Sequence, residues 1–118
     1  MNIKIIKDPV SLEEVRSLAE EIYQDMIKGA VDIEREIIAL GGEWHMDANA
    51  ALLSEGSAQE NIWGFNIHVD ERGDEAVKYV SLINIRPQQG NRSMEIQDQE
   101  LRRKIRVLIA QIIPELFV

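Results

Sequence analysis

The segment 43–53 opens with a strict alternation of polar and apolar residues, which is typical of a strand with one buried face. In a strand, this alternation directs Glu43, His45 and Asp47 to one side and Trp44 to the other. We therefore predict a strand over 43–53, with Trp44 in the hydrophobic core and the polar side chains on an open face.

Two later segments, 62–69 and 77–86, alternate in the same way and are separated by a short charged loop, as in a hairpin. In such a hairpin the numbers of facing residues sum to about 148 to 150, which places Asn66 opposite Asn84 or Leu82. Side chains with even numbers then share one face. This expected polar face carries Asn66, His68, Asn84 and Arg86.

A helix is predicted after Ser11, which forms a capping box with Glu14 and precedes apolar residues spaced three or four positions apart. We expect this helix to extend to about Asp25. The next segment, 28–40, is ambiguous, because its apolar residues continue the helical period. Against a helix stand Gly29 and the length of about 30 residues that one uninterrupted helix would reach.

The two ends of the chain complete the predicted fold. A short strand is expected over 2–6, and a final helix begins after Asp98 and ends before Pro114. Together the elements predict a single α+β domain with a mostly antiparallel sheet, in the order β-α-β-β-β-β-α. The N- and C-terminal helices are expected to cover the apolar face, against Trp63 and Phe65, and to leave the polar face open.

Composition excludes several classes of function. The chain of 118 residues has no cysteine, which excludes disulfides, thiolate metal ligands and thiol catalysis. Thirteen basic and 21 acidic residues give a net charge of −8, which disfavours a nucleic-acid partner. No apolar run approaches the roughly 20 residues of a membrane span. We therefore expect a cytoplasmic protein without a membrane segment.

The chemistry of the polar face allows a catalytic reading. His45 with Asp47 or Glu43 resembles an acid-base pair, with Arg86 available for an anionic substrate. A solvated sheet face would select the same residue types, and that is the alternative. Histidine and carboxylate without a further fixed ligand do not make a metal site, so none is predicted.

The loop that follows the predicted strand 77–86 is a second candidate site, for binding an anion. Arg86 and Arg92 flank a turn in which Gly90 and Asn91 tolerate positive φ, and Ser93 follows. Guanidinium groups, exposed backbone N–H groups and a hydroxyl are suited to a carboxylate or phosphate. The alternative is that these side chains satisfy backbone groups of their own loop.

The residues 81–98, SLINIRPQQGNRSMEIQD, resemble a small prokaryotic family known as a domain of unknown function. Shorter motifs share the resemblance, namely Gly41-Gly42, His45-Met46-Asp47, Gly56-Ser57, Gln59 and Trp63-Gly64. The resemblance implies no activity, substrate or cofactor. It implies a turn near Glu36 between strands over 28–33 and 37–40. Asn49 stands where the family often has an acidic residue, which weakens any scheme that needs a third carboxylate.

These observations favour a non-catalytic binding module for a small anionic ligand or a protein partner. Its expected surface is the polar sheet face with the loop 86–93, through Asn66, His68, Asn84, Arg86, Asn91, Arg92 and Ser93. One alternative is a hydrolase-like enzyme that uses His45 and Asp47. The other is a regulatory or structural homo-oligomer. The sequence identifies no cofactor.

Overall fold

A computed structural model of the protein describes residues 2–118 and contains a five-stranded antiparallel sheet and three α-helices. The sheet order is β1-β3-β2-β4-β5, and every neighbouring pair is antiparallel. The α+β class predicted from the sequence is thus confirmed. The strands are β1 (Ile3–Ile6), β2 (Met26–Asp32), β3 (Ile37–Gly41), β4 (Ile62–His68) and β5 (Val77–Lys78), and the helices are α1 (Leu12–Glu20), α2 (His45–Ser54) and α3 (Gln99–Ile112).

The ambiguous segment forms the β2–β3 hairpin, as the resemblance implied. Its turn depends on Glu36, which has a φ of 59°, and on Asp32, whose carboxylate accepts hydrogen bonds from the backbone N–H groups of Glu34 and Arg35. β3 and most of β2 are buried on both faces, so their sequences do not alternate between polar and apolar residues. The helical spacing of their apolar residues is a coincidence. The helical alternative for 28–40 is wrong.

The predicted strand 43–53 is wrong, because this segment forms α2. Gly41 and Gly42 have φ values of 116° and 91°, and their left-handed conformation turns the chain away from the sheet. The carboxylate of Asp47 then accepts a hydrogen bond of 3.0 Å from the backbone N–H of Trp44 and holds the first helical turn. Trp44 is 60% exposed rather than buried. The element order is therefore β-α-β-β-α-β-β-α.

The helices lie in two layers. As predicted, α1 and α3 share one face of the sheet, where their apolar side chains pack with Trp63, Phe65 and neighbouring strand residues. The opposite face is partly covered, because Ala48 and Leu52 of α2 pack on Ala30, Ala39 and Ile62. The uncovered part of that face lies at the other end of β2 and β4.

The predicted partner strand 77–86 is also wrong beyond its first two residues. Asn66 faces Lys78, not Asn84 or Leu82, so the register differs from the predicted one. The chain leaves the sheet after Lys78, and Ser81 then packs against Gly64, where an added Cβ would lie 2.6 Å from the Cβ of Ser81. A 3-10 turn then follows over Leu82–Asn84.

Helix boundaries differ less from the predictions. Ser11 caps α1, accepting a hydrogen bond from the backbone N–H of Glu14, and Asp98 caps α3, as the sequence indicates. However, α1 ends at Glu20, and Gln24 adopts a φ of 72° that leads into β2. Among residues 2–118, no helix combines the length and apolar character needed to cross a membrane.

Gly29 is placed where the sheet tolerates no side chain, which gives a test of the β2–β3 pairing. A Cβ at this position would lie 2.7 Å from side-chain atoms of Leu40 and Phe65. We expect Gly29→Ala to lower the free energy of unfolding in urea by about 1–3 kcal/mol through overpacking. The control, Ser17→Ala on the exposed side of α1, should change it by less than about 0.5 kcal/mol. Equal stability of Gly29→Ala and wild type would contradict this packing.

Candidate functional site

The uncovered part of the sheet face carries a row of polar side chains across three strands. Lys28 of β2 faces Asn66 of β4, which in turn faces Lys78 of β5. His68 lies two residues further along β4 on the same face, since strand side chains alternate. Neighbouring strands are about 4.8 Å apart, so these side chains are close enough to contact one small ligand. We call Lys28, Asn66, His68 and Lys78 the cation row.

His45 joins this row from the first turn of α2. Its Nε2 lies 2.8 Å from Oδ1 of Asn66 and 3.0 Å from the carbonyl oxygen of Phe65. Both partners are acceptors, so Nε2 carries the hydrogen and donates it. The sequence prediction that His45 and Asn66 share a face therefore agrees with the structure, although the predicted strand is a helix.

The environment of His45 favours the neutral imidazole. Burial lowers the pKa of His45 from its ordinary value of 6.5, and the nearby Lys28 ammonium lowers it further. The hydrogen bonds to the Phe65 carbonyl and to Asn66 act in the opposite direction, but the pKa remains lowered. At neutral pH His45 is thus a fixed hydrogen-bond donor that orients Asn66.

Lys28 and Lys78 keep their positive charge available. Neither ammonium forms an ion pair with a carboxylate of residues 2–118, whereas six other basic side chains do. The Lys28 ammonium lies 5.1 Å from the ring centre of Tyr23 and 5.2 Å from that of Trp44. These aromatic faces stabilise a cation without neutralising it. The row is therefore a local positive surface on a chain with a net charge of −8.

The predicted pair of His45 and Asp47 does not form. Asp47 directs its carboxylate to the backbone N–H of Trp44, as described for α2, and His45 is oriented by Phe65 and Asn66. Two positions along a helix rotate a side chain by about 200°, so the two groups leave the helix on different sides. The acid-base chemistry that this pair was expected to supply has no geometric support.

Arg86 is buried and fully engaged rather than free for a ligand. Its guanidinium donates to the carbonyl oxygens of Ile62, of Gln59 at 2.8 Å and of Ile83 at 3.1 Å, and to the side chain of Gln89. It also stacks 4.0 Å from the ring centre of Trp63. Burial lowers the pKa of Arg86. Arg86, which was predicted to bind an anion, therefore holds its own loop against the start of β4.

Asn84 and Asn91 are likewise occupied inside the protein. The Asn84 amide accepts from the N–H of Gly64 at 2.8 Å and donates to the Gly64 carbonyl at 3.0 Å. The Asn91 amide donates to the carbonyl oxygens of Asn84 and Ser93 and accepts from the N–H of Gln97. Both side chains satisfy backbone groups, which is the alternative that the sequence left open for this loop.

Arg92 and Ser93 complete the predicted loop. Arg92 is exposed, and the hydroxyl of Ser93 accepts a hydrogen bond of 3.1 Å from the backbone N–H of Glu95. The structure therefore separates the predicted residues into two groups. His45, Asn66 and His68 lie at the uncovered sheet face, whereas Asn84, Arg86 and Asn91 hold the loop together.

Sequence reasoning missed Lys28 and Lys78. Lys28 lies in the segment whose secondary structure was ambiguous, so its direction could not be assigned. Lys78 has an even number, like Asn66, and so lies on the same face. The predicted register did not place the two residues opposite each other. Asn49, which the predicted strand would have placed on the polar face, is instead buried, and its side-chain amide exchanges two hydrogen bonds of 2.7 and 2.8 Å with Gln59.

A concavity with a volume of about 920 Å³ lies on the other side of the sheet. Its floor includes Trp63, Leu101 and Leu108, and of the predicted site residues it contacts Asn91. Its charges are of both signs, with Glu36 and Glu60 on one wall and Arg103 and Lys104 on α3. This mixed lining gives no preference for an anion. Within residues 2–118 no three histidine or carboxylate side chains are grouped to hold a metal ion.

The role of Arg86 can be tested through stability. Arg86→Lys removes the planar donor fork and leaves buried carbonyl oxygens without partners, which we expect to cost about 3 kcal/mol of unfolding free energy. Arg92→Lys makes the same chemical change at an exposed position of the same loop and should be neutral. Urea denaturation of both variants decides between the roles, since a free anion clamp at position 86 would leave stability unchanged.

The lowered pKa of His45 predicts a pH-dependent contribution to stability. As pH falls from 8 through about 6.5, His45 of the unfolded chain gains a proton while the folded chain resists it, so the folded state loses stability. His45→Gln keeps an N–H donor and removes this proton uptake. We expect the unfolding free energy of the wild type to fall more than that of the variant over this range. Parallel pH curves would show that burial does not perturb His45.

Comparison with known proteins places the chain in a family. A family model described as a protein of unknown function (DUF5674) matches residues 4–112. No curated protein and no solved structure matches the chain. The match extends from within β1 to the end of α3, which agrees with the resemblance found in the sequence. The chain belongs to the DUF5674 family, whose function is unknown.

Proposed function

We propose that the protein is a non-catalytic binding module for a small anionic ligand that carries a phosphate or carboxylate group. The observation that carries this proposal is the cation row, in which Lys28 and Lys78 flank Asn66 across three strands. Two ammonium groups on either side of an amide donor suit a compact anion with several acceptor oxygens. Compared with the sheet-face site expected from the sequence, this site gains two lysines and loses Asn84 and Arg86.

Electrostatics favours an anion at the cation row over the arginine-rich surface of α3. Most of the molecule repels anions, because 21 acidic residues outnumber 13 basic ones. At the arginine-rich surface of α3, Arg102, Arg103 and Arg106 are already paired with carboxylates. Lys28 and Lys78 have no such partner among the described residues, so a ligand would gain their full attraction.

Binding fits the geometry better than hydrolysis. His45 uses its Nε2 hydrogen on two protein acceptors, and Asp47 does not orient it. An acid-base catalyst needs its nitrogen within reach of the reacting proton and a partner that stabilises the charged ring. His45 instead holds Asn66 in place as part of the binding surface. A cytoplasmic location belongs to the same proposal, since a chain without cysteine suits a reducing compartment.

Titration with inorganic phosphate, pyrophosphate and citrate tests the proposal. We expect amide and side-chain NMR signals of Lys28, Asn66 and Lys78 to shift with saturation, and the thermal midpoint to rise with ligand concentration. Each of Lys28→Gln and Lys78→Gln removes one charge-assisted contact and should weaken binding about tenfold. High salt should weaken binding as well, because it screens the two charges.

Lys104→Gln is the matched control. Lys104 lies exposed on α3, on the far side of the sheet, and its replacement changes the net charge by the same amount. We expect its anion affinity to equal that of the wild type within twofold. If the three lysine variants lose affinity equally, the effect is one of net charge and the site is wrong. Absence of saturable shifts with all three anions would reject the proposal.

A further inference from the structure

We propose that the anion at the cation row is a nucleotide, with its phosphate between Lys28 and Lys78 and its base stacked on the exposed indole ring of Trp44. This inference rests on the proposed function, because it names the class of ligand for the same site. It adds Trp44 as a contact residue that selects a ligand with a planar aromatic ring over a simple anion.

Trp44 differs from every other aromatic residue of the chain in its exposure. All six aromatic residues lie within residues 2–118, and the other five are buried or half-buried. Trp44 is 60% exposed, whereas Trp63 is 4% exposed. Tryptophan is highly buried on average in folded proteins. The indole ring of Trp44 is therefore an aromatic surface that the fold does not use for its own packing.

The backbone around Trp44 is nevertheless fixed by two hydrogen bonds. The backbone N–H of Trp44 donates to the Asp47 carboxylate at 3.0 Å. The carbonyl oxygen of the preceding residue, Glu43, accepts a hydrogen bond of 2.6 Å from the hydroxyl of Tyr23. An aromatic side chain on a fixed backbone loses little conformational freedom when a ligand binds, and this preorganisation favours affinity.

The exposed ring faces the cation that the anion would contact. The Lys28 ammonium lies over the Trp44 ring, 5.2 Å from its centre, so the indole borders the cation row. A phosphate oxygen that accepts a hydrogen bond of about 2.8 Å from this ammonium lies within about 8 Å of the ring centre. In a nucleotide one sugar separates the phosphate from the base, which fits this short distance.

The donors of the row favour a phosphate over a lone carboxylate. Lys28 and Lys78 lie on strands separated by β4, so their backbones are about 10 Å apart and their long side chains can converge above Asn66. The Val80 carbonyl accepts one N–H of the Asn66 amide at 3.4 Å, and a ligand oxygen can accept the other. Three donor groups match the oxygens of a phosphate, whereas a carboxylate has two.

Net charge favours a single nucleotide over a nucleic-acid strand. The chain carries a net charge of −8, and the row supplies two lysines that form no ion pair within residues 2–118. Further phosphates of a strand would extend over a surface on which acidic residues outnumber basic ones, and that surface repels them.

Two ligands that differ only in the base test the inference. In NMR titrations we expect adenosine monophosphate (AMP) to bind about tenfold more tightly than ribose 5-phosphate, because stacking on Trp44 adds to the shared phosphate contacts. Trp44→Leu removes the aromatic face and should lower this ratio of affinities to about one, whereas Trp44→Phe should retain part of it. The ratio is compared because loss of the indole also changes the surroundings of Lys28.

Tryptophan fluorescence provides a second readout, and Val107 provides a control. Trp63 is buried, so quenching by AMP that ribose 5-phosphate does not cause reports stacking on Trp44, and Trp44→Leu should abolish it. Val107→Ala removes an exposed apolar side chain from α3, which lies on the other face of the sheet, and should keep the wild-type ratio.

The outcomes separate this inference from the proposed function. Equal affinities for AMP and ribose 5-phosphate, both weakened by Lys28→Gln, would overturn the nucleotide and leave the anion site in place. Absence of saturable binding by either ligand and by inorganic phosphate would overturn both. A ratio that survives Trp44→Leu, or that Val107→Ala lowers equally, would show that the base does not stack on Trp44. An oligonucleotide that binds more tightly than AMP would contradict a single nucleotide.

Discussion

The backbone of a buried strand needs a hydrogen-bond partner for every polar group, and β4 meets this need in an unusual way. β5 pairs with β4 at only a few residues, so the rest of that edge is satisfied by side chains. Asn84 takes the place of a strand by hydrogen bonding to both backbone groups of Gly64, and Arg86 donates hydrogen bonds to the carbonyl oxygens of Gln59, before β4, and of Ile62, at its start. The loop that follows β5 is therefore part of the sheet's structure, and the surface left to bind a ligand lies elsewhere.

This arrangement explains which parts of the fold the sequence could predict. The caps Ser11 and Asp98 act within three residues of their own position, so the starts of α1 and α3 are readable locally. The roles of Asn84 and Arg86 depend on backbone groups 20 and 24 residues away. A short sequence window contains no signal for such partners, and asparagine and arginine in a loop have the same appearance whether they bind a ligand or a distant strand.

The error at α2 has a related cause. Alternation over eight residues distinguishes a strand from a helix only when one side of the element is polar, and α2 is apolar on two sides. Its identity depends on the left-handed Gly41 and Gly42 and on the capping carboxylate of Asp47, all of which lie at its start. His45 nevertheless meets Asn66, because the glycine turn folds the first residue of α2 over the uncovered end of the sheet.

α2 thus connects three surfaces of the molecule through different sides of one short helix. Its inner side packs on part of the sheet face, its first turn brings His45 to the cation row, and its outer side leaves Met46 and Leu53 exposed. The Trp44 ring lies beside the Lys28 ammonium at the same end. The cation row therefore depends on the first turn of α2, because His45 orients Asn66 and Trp44 lies against Lys28.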